Sequence, residues 1–109
     1  MNQTLKNQLE KTLIETISNL SKEDLAVFLK DFLTESELES FSKRLSVAYW
    51  LRKKRSYENI QTNLKVSTRT IAQIQNLMKK EGFQKALKDM EAEEWANIWS
   101  EKIKGIVKP

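Results

Sequence analysis

Apolar residues recur through most of the chain at intervals of three or four, which is the spacing of amphipathic helices. The first stripe predicts a helix from about Thr4 to Leu20. A start signal follows at Ser21, whose hydroxyl can cap a helix together with Asp24 three residues on, and this predicts a second helix. The two inward stripes consist of Leu5, Leu9, Leu13, Ile17 and Leu20, then Leu25, Phe28, Leu29, Phe32 and Leu33.

A third helix is predicted from Thr34 to about Arg55. Thr34 and Glu37 fit the capping box, and the glutamates of the first turn suit the positive end of the helix dipole. Its inward positions are Leu38, Phe41, Leu45, Ala48 and Leu51. Farther along, Gly82 is predicted as a helix C-cap. A long amphipathic pattern follows it, with Phe83, Leu87, Met90, Trp95, Ile98, Trp99, Ile103 and Ile106 as its apolar members.

Between these helices, Ser56–Lys80 is predicted to form two short helices joined by a tight corner. Only a bihelical corner can bury together the apolar side chains Ile60, Leu64, Val66, Ile71 and Ile74. Ser67 stands where the second helix needs its N-cap. The outward side chains of that helix are short and polar with one arginine, a set suited to base edges in the major groove of DNA. The candidate base-reading residues are Ser67, Thr68, Arg69, Gln73 and Asn76.

Positive charge is concentrated around this corner. Residues 1–39 contain four basic and eight acidic residues, residues 40–80 contain ten and one, and residues 81–109 contain five and six. Basic side chains placed in this way can neutralise phosphates and release counterions, although a basic helix face is often simply solvated. The candidate phosphate-binding residues are Arg52, Lys53, Lys54, Arg55, Lys65 and Lys79.

The composition narrows both fold and chemistry. Two glycines and one terminal proline in 109 residues leave little to turn a sheet, so an all-α fold is predicted. Histidine and cysteine are absent, so we expect no enzyme, no metal site and no cofactor. The acidic cluster Asp89, Glu91, Glu93 and Glu94 is interpreted as a solubilising face. No apolar signal core or membrane span is visible, and a cytoplasmic protein is expected.

The apolar side chains also bear on assembly. The first, second and last predicted helices carry more large apolar groups than one small corner motif can cover. We therefore expect a single domain over residues 1–109 that forms a homodimer, with residues 1–55 and 82–109 as core and dimerisation helices. Residues 56–80 form its DNA-reading head, and two such heads would read two half-sites. The alternative is a self-sufficient monomeric bundle.

From Leu33 to Lys80 the chain resembles the tryptophan repressor superfamily, and within it the YerC/YecD-type branch. The matching residues are Leu33-Thr34 with Glu37 and Glu39, Arg44, Ser56-Tyr57 with Ile60, and Val66-Ser67-Thr68 with Thr70-Ile71 and Ile74. The resemblance implies a six-helix, intertwined all-α homodimer with a helix-turn-helix in each subunit.

Departures from the family pattern concern the ligand and the corner. The resemblance places Arg44 at one face of the family's tryptophan site, whereas Gln73 and Ile74 stand where the family has arginine and glycine. We therefore expect no tryptophan binding of the family's kind, and a phosphate or structural role for Arg44. At the corner, Lys65 replaces a glycine in a left-handed turn at a cost of about 1 kcal/mol, and Gln61 replaces a small residue.

Together these features predict a sequence-specific, double-stranded DNA-binding transcriptional regulator that acts as a repressor. The alternative is a helical interaction module that binds a protein or RNA partner through its basic face. Specificity that persists over bulk DNA would distinguish the regulator from such a module.

Overall fold

The computed structural model describes the backbone of residues 1–107, with all side chains in that span except those of residues 99 and 103–107. The described residues form six α-helices and no strand, as the composition predicts: α1 (Gln3–Asn19), α2 (Lys22–Phe32), α3 (Glu35–Arg52), α4 (Tyr57–Leu64), α5 (Thr68–Leu77) and α6 (Glu81–Val107). The chain divides into two compact units, Met1–Ser40 and Phe41–Pro109. The predicted apolar positions Trp99, Ile103 and Ile106 lie outside the described side chains.

Short polar side chains begin four of the helices. Each one accepts a hydrogen bond from the backbone N–H three residues on, which satisfies a donor that the helix itself leaves unpaired. The predicted caps at Ser21 and Ser67 are confirmed. The four pairs are Asn2 with Leu5 (2.8 Å), Ser21 with Asp24 (3.1 Å), Ser56 with Asn59 (3.1 Å) and Ser67 with Thr70 (3.1 Å).

Helix α3 begins with the predicted reciprocal capping box. The backbone N–H of Thr34 donates to Glu37 Oε1 at 2.9 Å, and the backbone N–H of Glu37 donates to Thr34 Oγ1 at 3.0 Å. Hydrogen bonds to the ionised carboxylate favour it over the protonated form. They lower the pKa of Glu37 below its ordinary value of 4.5, first through the backbone of Thr34 and then through its side chain.

The capping box gives a pH-dependent prediction. Because the folded-state pKa of Glu37 is depressed, its contribution to stability is present above the ordinary value and is lost as the pH falls through the depressed value. We expect an NMR titration of the Glu37 carboxyl carbon to show a midpoint below 4.5, and Thr34→Ala to raise that midpoint. Equal midpoints in the two proteins would show that the Thr34 side chain does not lower this pKa, because alanine keeps the backbone N–H that donates to Glu37.

Helix α3 ends through a Schellman motif, three residues before the predicted end at Arg55. Lys54 adopts the left-handed region at φ 65°. Its N–H donates to the Leu51 carbonyl at 3.0 Å, while the N–H of Arg55 donates to the Trp50 carbonyl at 3.1 Å. These bonds satisfy the last carbonyls of the helix and turn the chain toward α4. A lysine thus occupies the position at which glycine is most common.

The core lies in the second unit, where the C-terminal half of α3 meets α4, α5 and α6. Its fully or almost fully buried side chains are Val47, Ala48, Ile60, Ile71, Ile74 and Leu87. The predicted inward roles of Ala48, Ile60, Ile71, Ile74 and Leu87 are confirmed. Leu64 and Val66 pack against this cluster while half-buried, which agrees with their predicted place in the corner.

Two predicted inward positions of α3, Phe41 and Leu45, are exposed in the single chain, and the prediction is wrong for it. Phe32 of α2 and Trp95 and Ile98 of α6 are also exposed, on helices whose apolar groups were expected to exceed what one chain can cover. In α3 the core contacts begin at Val47, so its N-terminal half has no place in this cluster. In α1 no residue is buried, and Leu5, Leu9 and Leu13 of its predicted stripe are exposed.

Gly82 is not a C-cap. It lies in the first turn of α6 and has no left-handed backbone, while α5 ends at Met78 in a right-handed conformation. The N–H of Met78 still bonds to Ile74 and that of Lys80 to Leu77, so the carbonyls of α5 are satisfied without a left-handed residue. The prediction failed because the chain passes from α5 to α6 within three residues, leaving no loop for a glycine cap.

Candidate nucleic-acid interface

Helices α4 and α5 form the predicted corner. Lys65 takes the left-handed conformation at φ 55° and ψ 50°, and its N–H bonds to the Gln61 carbonyl at 3.0 Å. Both the turn position and the strained lysine were predicted. Gln61 is exposed, so its long side chain does not obstruct the crossing of the two helices.

The outer face of α5 is polar and open to solvent. Its inner face is fixed by the buried side chains of Ile71 and Ile74, so residues at the intervening positions must point outward. The Ser67 hydroxyl accepts from the Thr70 N–H and donates to Thr70 Oγ1 at 3.0 Å, so this side chain is engaged in the helix cap. All five predicted base-reading residues are exposed: Ser67, Thr68, Arg69, Gln73 and Asn76.

A side-chain hydrogen bond ties the two helices of the corner together. The Tyr57 hydroxyl, at the start of α4, donates to Gln75 Oε1 on α5. Tyr57 also packs against the core. Because one end of this bond is anchored by packing, it restricts the rotation of α5 relative to α4. Tyr57 and Gln75 were not predicted as a pair, since they stand 18 residues apart.

Arg55 is held in place beside the corner. Its guanidinium lies 3.9 Å from the centroid of the Trp50 ring, and its Nη1 donates to Asn59 Oδ1 at 3.4 Å. Trp50 is half-buried against the core, so the ring offers a fixed platform for the exposed cation. No ion pair occupies Arg55 within the described residues. Its charge is therefore oriented in advance of any ligand.

Two of the three other cations at the end of α3 are engaged by carboxylates of α6. Arg52 Nε and Nη2 donate to the two Glu91 oxygens at 2.5 and 3.3 Å, and the Arg52 side chain is 23% exposed. Lys53 Nζ lies 3.1 Å from Glu94. Among the predicted phosphate-binding residues, Arg52 and Lys53 form ion pairs. The other four are exposed and form no ion pair within the described residues: Lys54, Arg55, Lys65 and Lys79.

Glu91 and Glu94 are structural residues that the sequence interpretation placed on a solubilising face. Glu91 stands 39 residues from Arg52 in the sequence. No short-range pattern indicates a contact over that separation. The sequence contains one feature that could have indicated these ion pairs: a basic end of one helix and an acidic stretch in a later helix. A group of carboxylates placed to hold a metal ion is absent from the part of the chain that the structure describes.

At the position of the family's ligand site, the residues are arranged differently from a tryptophan pocket. Ile74 is 4% exposed within the core, Gln73 points to solvent, and the Arg44 guanidinium lies 5.5 Å from the centroid of the Phe41 ring. Ile74 therefore fills its position with packed hydrocarbon. Arg44 contacts an aromatic ring of its own helix, one turn earlier.

Comparison with known families agrees with this architecture. The family model described as Trp repressor protein matches residues 8–91, a stretch that contains α2 to α5 and parts of α1 and α6. No individual curated protein matches the chain. None of the described helices combines the length and the apolar character that crossing a bilayer requires. The chain belongs to the Trp repressor protein family, a family of DNA-binding helix-turn-helix regulators.

Proposed function

We propose that the protein binds double-stranded DNA in a sequence-specific manner and regulates transcription as a repressor. The observation that carries this proposal is the exposed polar face of α5, which is fixed by Ile71 and Ile74 and flanked by Lys65 and Lys79. A rigid helix with outward donors and acceptors between two cations suits the major groove, where phosphates border the base edges. Family membership supports the same assignment.

The candidate contacts divide into two roles. We assign base reading to Arg69, Gln73 and Asn76, with Ser67 and Thr68 at the helix start. Arg is suited to guanine and Gln or Asn to adenine. We assign phosphate binding to the exposed cations that form no ion pair with any described residue: Lys54, Arg55, Lys65 and Lys79. We assign a structural role to Arg52 and Lys53 in preference to phosphate binding, because carboxylates of α6 already form ion pairs with them.

The salt dependence of binding tests the phosphate role. Arg55→Ala should weaken binding to every duplex by a similar factor and reduce the slope of log affinity against log salt by about 1, because one phosphate contact is lost. Lys88→Ala on the exposed surface of α6 removes the same charge outside the candidate set and is the matched control. The measurement is fluorescence anisotropy of a labelled duplex at several salt concentrations. An unchanged slope in Arg55→Ala would remove this residue from the interface.

We also propose that the protein acts as a homodimer. The support is the number of large apolar side chains left open in the single chain, including the α1 positions Leu5 (44%), Leu9 (52%) and Leu13 (42%). A row of this kind on one helix is costly to hydrate and is typical of a contact surface. Two copies would present two α5 helices to two half-sites.

Sedimentation equilibrium tests the dimer. Leu9→Glu should shift the protein toward the monomer, because it places a charge in the proposed contact surface. Gln8→Glu, on the same helix and also exposed, introduces the same charge and should leave the dimer intact. Neither position is buried in the single chain, so unfolding does not explain a difference between them. Equal molecular masses for both variants and the parent would contradict this use of α1.

We further propose that tryptophan is not the effector and that the chain lies in the YerC/YecD-type branch of the family. The support is the buried side chain of Ile74 and the solvent-directed amide of Gln73, at positions where the family's ligand site needs space and a guanidinium. Isothermal titration with tryptophan should therefore give no saturable heat. Saturable binding would show that a ligand site is assembled from other residues.

A further inference from the structure

A cavity of about 380 Å³ lies in the second unit beside the end of α5, and two of the residues that line it, Lys54 and Lys79, are also proposed DNA phosphate contacts. It is formed where the end of α3, the end of α5 and the first turn of α6 come together. Five polar side chains line it: Arg52, Lys54, Gln75, Lys79 and Gln84. Its volume falls within the range of about 300 to 1,000 Å³ that small-molecule sites occupy.

The amide groups in this cavity are oriented by bonds to their neighbours. Gln75 Oε1 accepts from the Tyr57 hydroxyl, which leaves the Gln75 NH₂ group as a donor. Gln84 Oε1 accepts from Arg52 Nη1 at 3.2 Å, and its NH₂ group donates to the Met78 carbonyl. Each amide oxygen therefore already accepts one hydrogen bond, and the Gln75 NH₂ group remains as a donor.

The charge of the cavity has the same sign throughout. Lys54 and Lys79 have no ion-pair partner within the residues that the structure describes. No carboxylate lines the cavity. Glu91 neutralises Arg52, because both oxygens of its carboxylate accept hydrogen bonds from the Arg52 guanidinium. Two lysines and a glutamine with an unengaged amide donor thus line a space to which no carboxylate of the described residues contributes.

We propose that this cavity binds a phosphate group. Lys54, Lys79 and the Gln75 NH₂ group would donate to its oxygens, and Leu51 and Met78, which complete the lining, would contact an apolar part of a larger ligand. The phosphate can come from the DNA backbone or from a free phosphorylated small molecule. The first of these sources rests on the proposed function, whereas binding of free phosphate does not.

The conformation of Lys54 permits a variant that removes the charge without harming the fold. Lys54 has a left-handed backbone, so Lys54→Gly relieves strain while it deletes the ammonium group. Lys88, on the exposed surface of α6, does not line the cavity. Lys88→Ala removes the same charge outside both the cavity and the proposed DNA contacts and is the control.

The test is an NMR titration of the full-length, isotope-labelled protein with inorganic phosphate, at constant ionic strength balanced with chloride. We expect saturable shifts of the Lys54 and Lys79 amides and of the Gln75 side-chain NH₂ group. Lys54→Gly should weaken this binding about tenfold or more, the effect of losing one charged hydrogen bond, and Lys88→Ala should not. Shifts that do not saturate, or that are the same in Lys54→Gly as in the parent, would overturn the proposal.

A second arm identifies the source of the phosphate. If a DNA phosphate occupies the cavity, a bound duplex should abolish the phosphate titration, and Lys54→Gly should weaken duplex binding. If the ligand is a free phosphorylated molecule, phosphate and duplex should bind together. A protein that binds phosphate in this cavity but binds no duplex would contradict the proposed function and leave the cavity assignment standing.

Discussion

Replacing Ile71 by alanine is expected to lower the free energy of unfolding by about 2 to 5 kcal/mol, the range for truncating a buried isoleucine. Ile71 is fully buried and belongs to the cluster that joins α3, α4, α5 and α6. Its removal leaves a cavity at the inner face of α5. Because the outward residues are oriented by this packing, DNA affinity should fall as well, although Ile71 touches no solvent.

Chemical denaturation followed by circular dichroism measures this change. The control is Gln73→Ala, two residues along the same helix at an exposed position, where the free energy of unfolding should change by less than about 0.5 kcal/mol. The two variants thus compare the loss of a buried side chain with the loss of an exposed side chain on the same helix. A similar stability for both would mean that α5 does not pack on its Ile71 face.

Arg69→Ala is expected to change specificity more than stability. Arg69 is exposed in the first turn of α5, where residues of a helix that enters the major groove reach base edges. Loss of a bidentate contact to guanine should cost about 1 to 3 kcal/mol on the preferred sequence, a decrease of about 5- to 150-fold in affinity. Affinity for unrelated duplexes should decrease far less, so preference at one base pair should relax.

Competition between the preferred duplex and its single-base variants checks this result. Arg55→Ala is the informative comparison, because it removes the same guanidinium from a proposed phosphate contact and should weaken all duplexes alike. If Arg69→Ala kept the full base preference of the parent protein, Arg69 would not be a base-reading residue. Its charge would then belong with the phosphate contacts.

The local features of this fold could be predicted because they depend on neighbours in the sequence. Ser21, Thr34 and Ser67 each cap a helix through an N–H three residues away, and such contacts are visible as spacing. The corner was predictable for the same reason. Ile60, Ile71 and Ile74 fall on the inner faces of two short helices, and Lys65 occupies the left-handed turn between them.

The features that escaped prediction depend on the approach of distant residues. The pairing of Arg52 with Glu91 turns one predicted phosphate contact into a link between α3 and α6. Nothing in either local sequence distinguishes it from an exposed cation. The same limit applies to Phe41 and Leu45, whose periodicity indicates an apolar face. Periodicity does not say whether the partner of that face is the same chain or another molecule.

The central claim is that α5 reads a DNA sequence. Selection from a random double-stranded DNA pool, at low and moderate salt and with and without tryptophan, tests it most directly. The account predicts a two-fold-symmetric motif that persists at moderate salt, is recovered equally with or without tryptophan, and is lost or relaxed at one position in Arg69→Ala. Recovery of no motif at either salt concentration would contradict the account and favour a protein or RNA partner for the basic face.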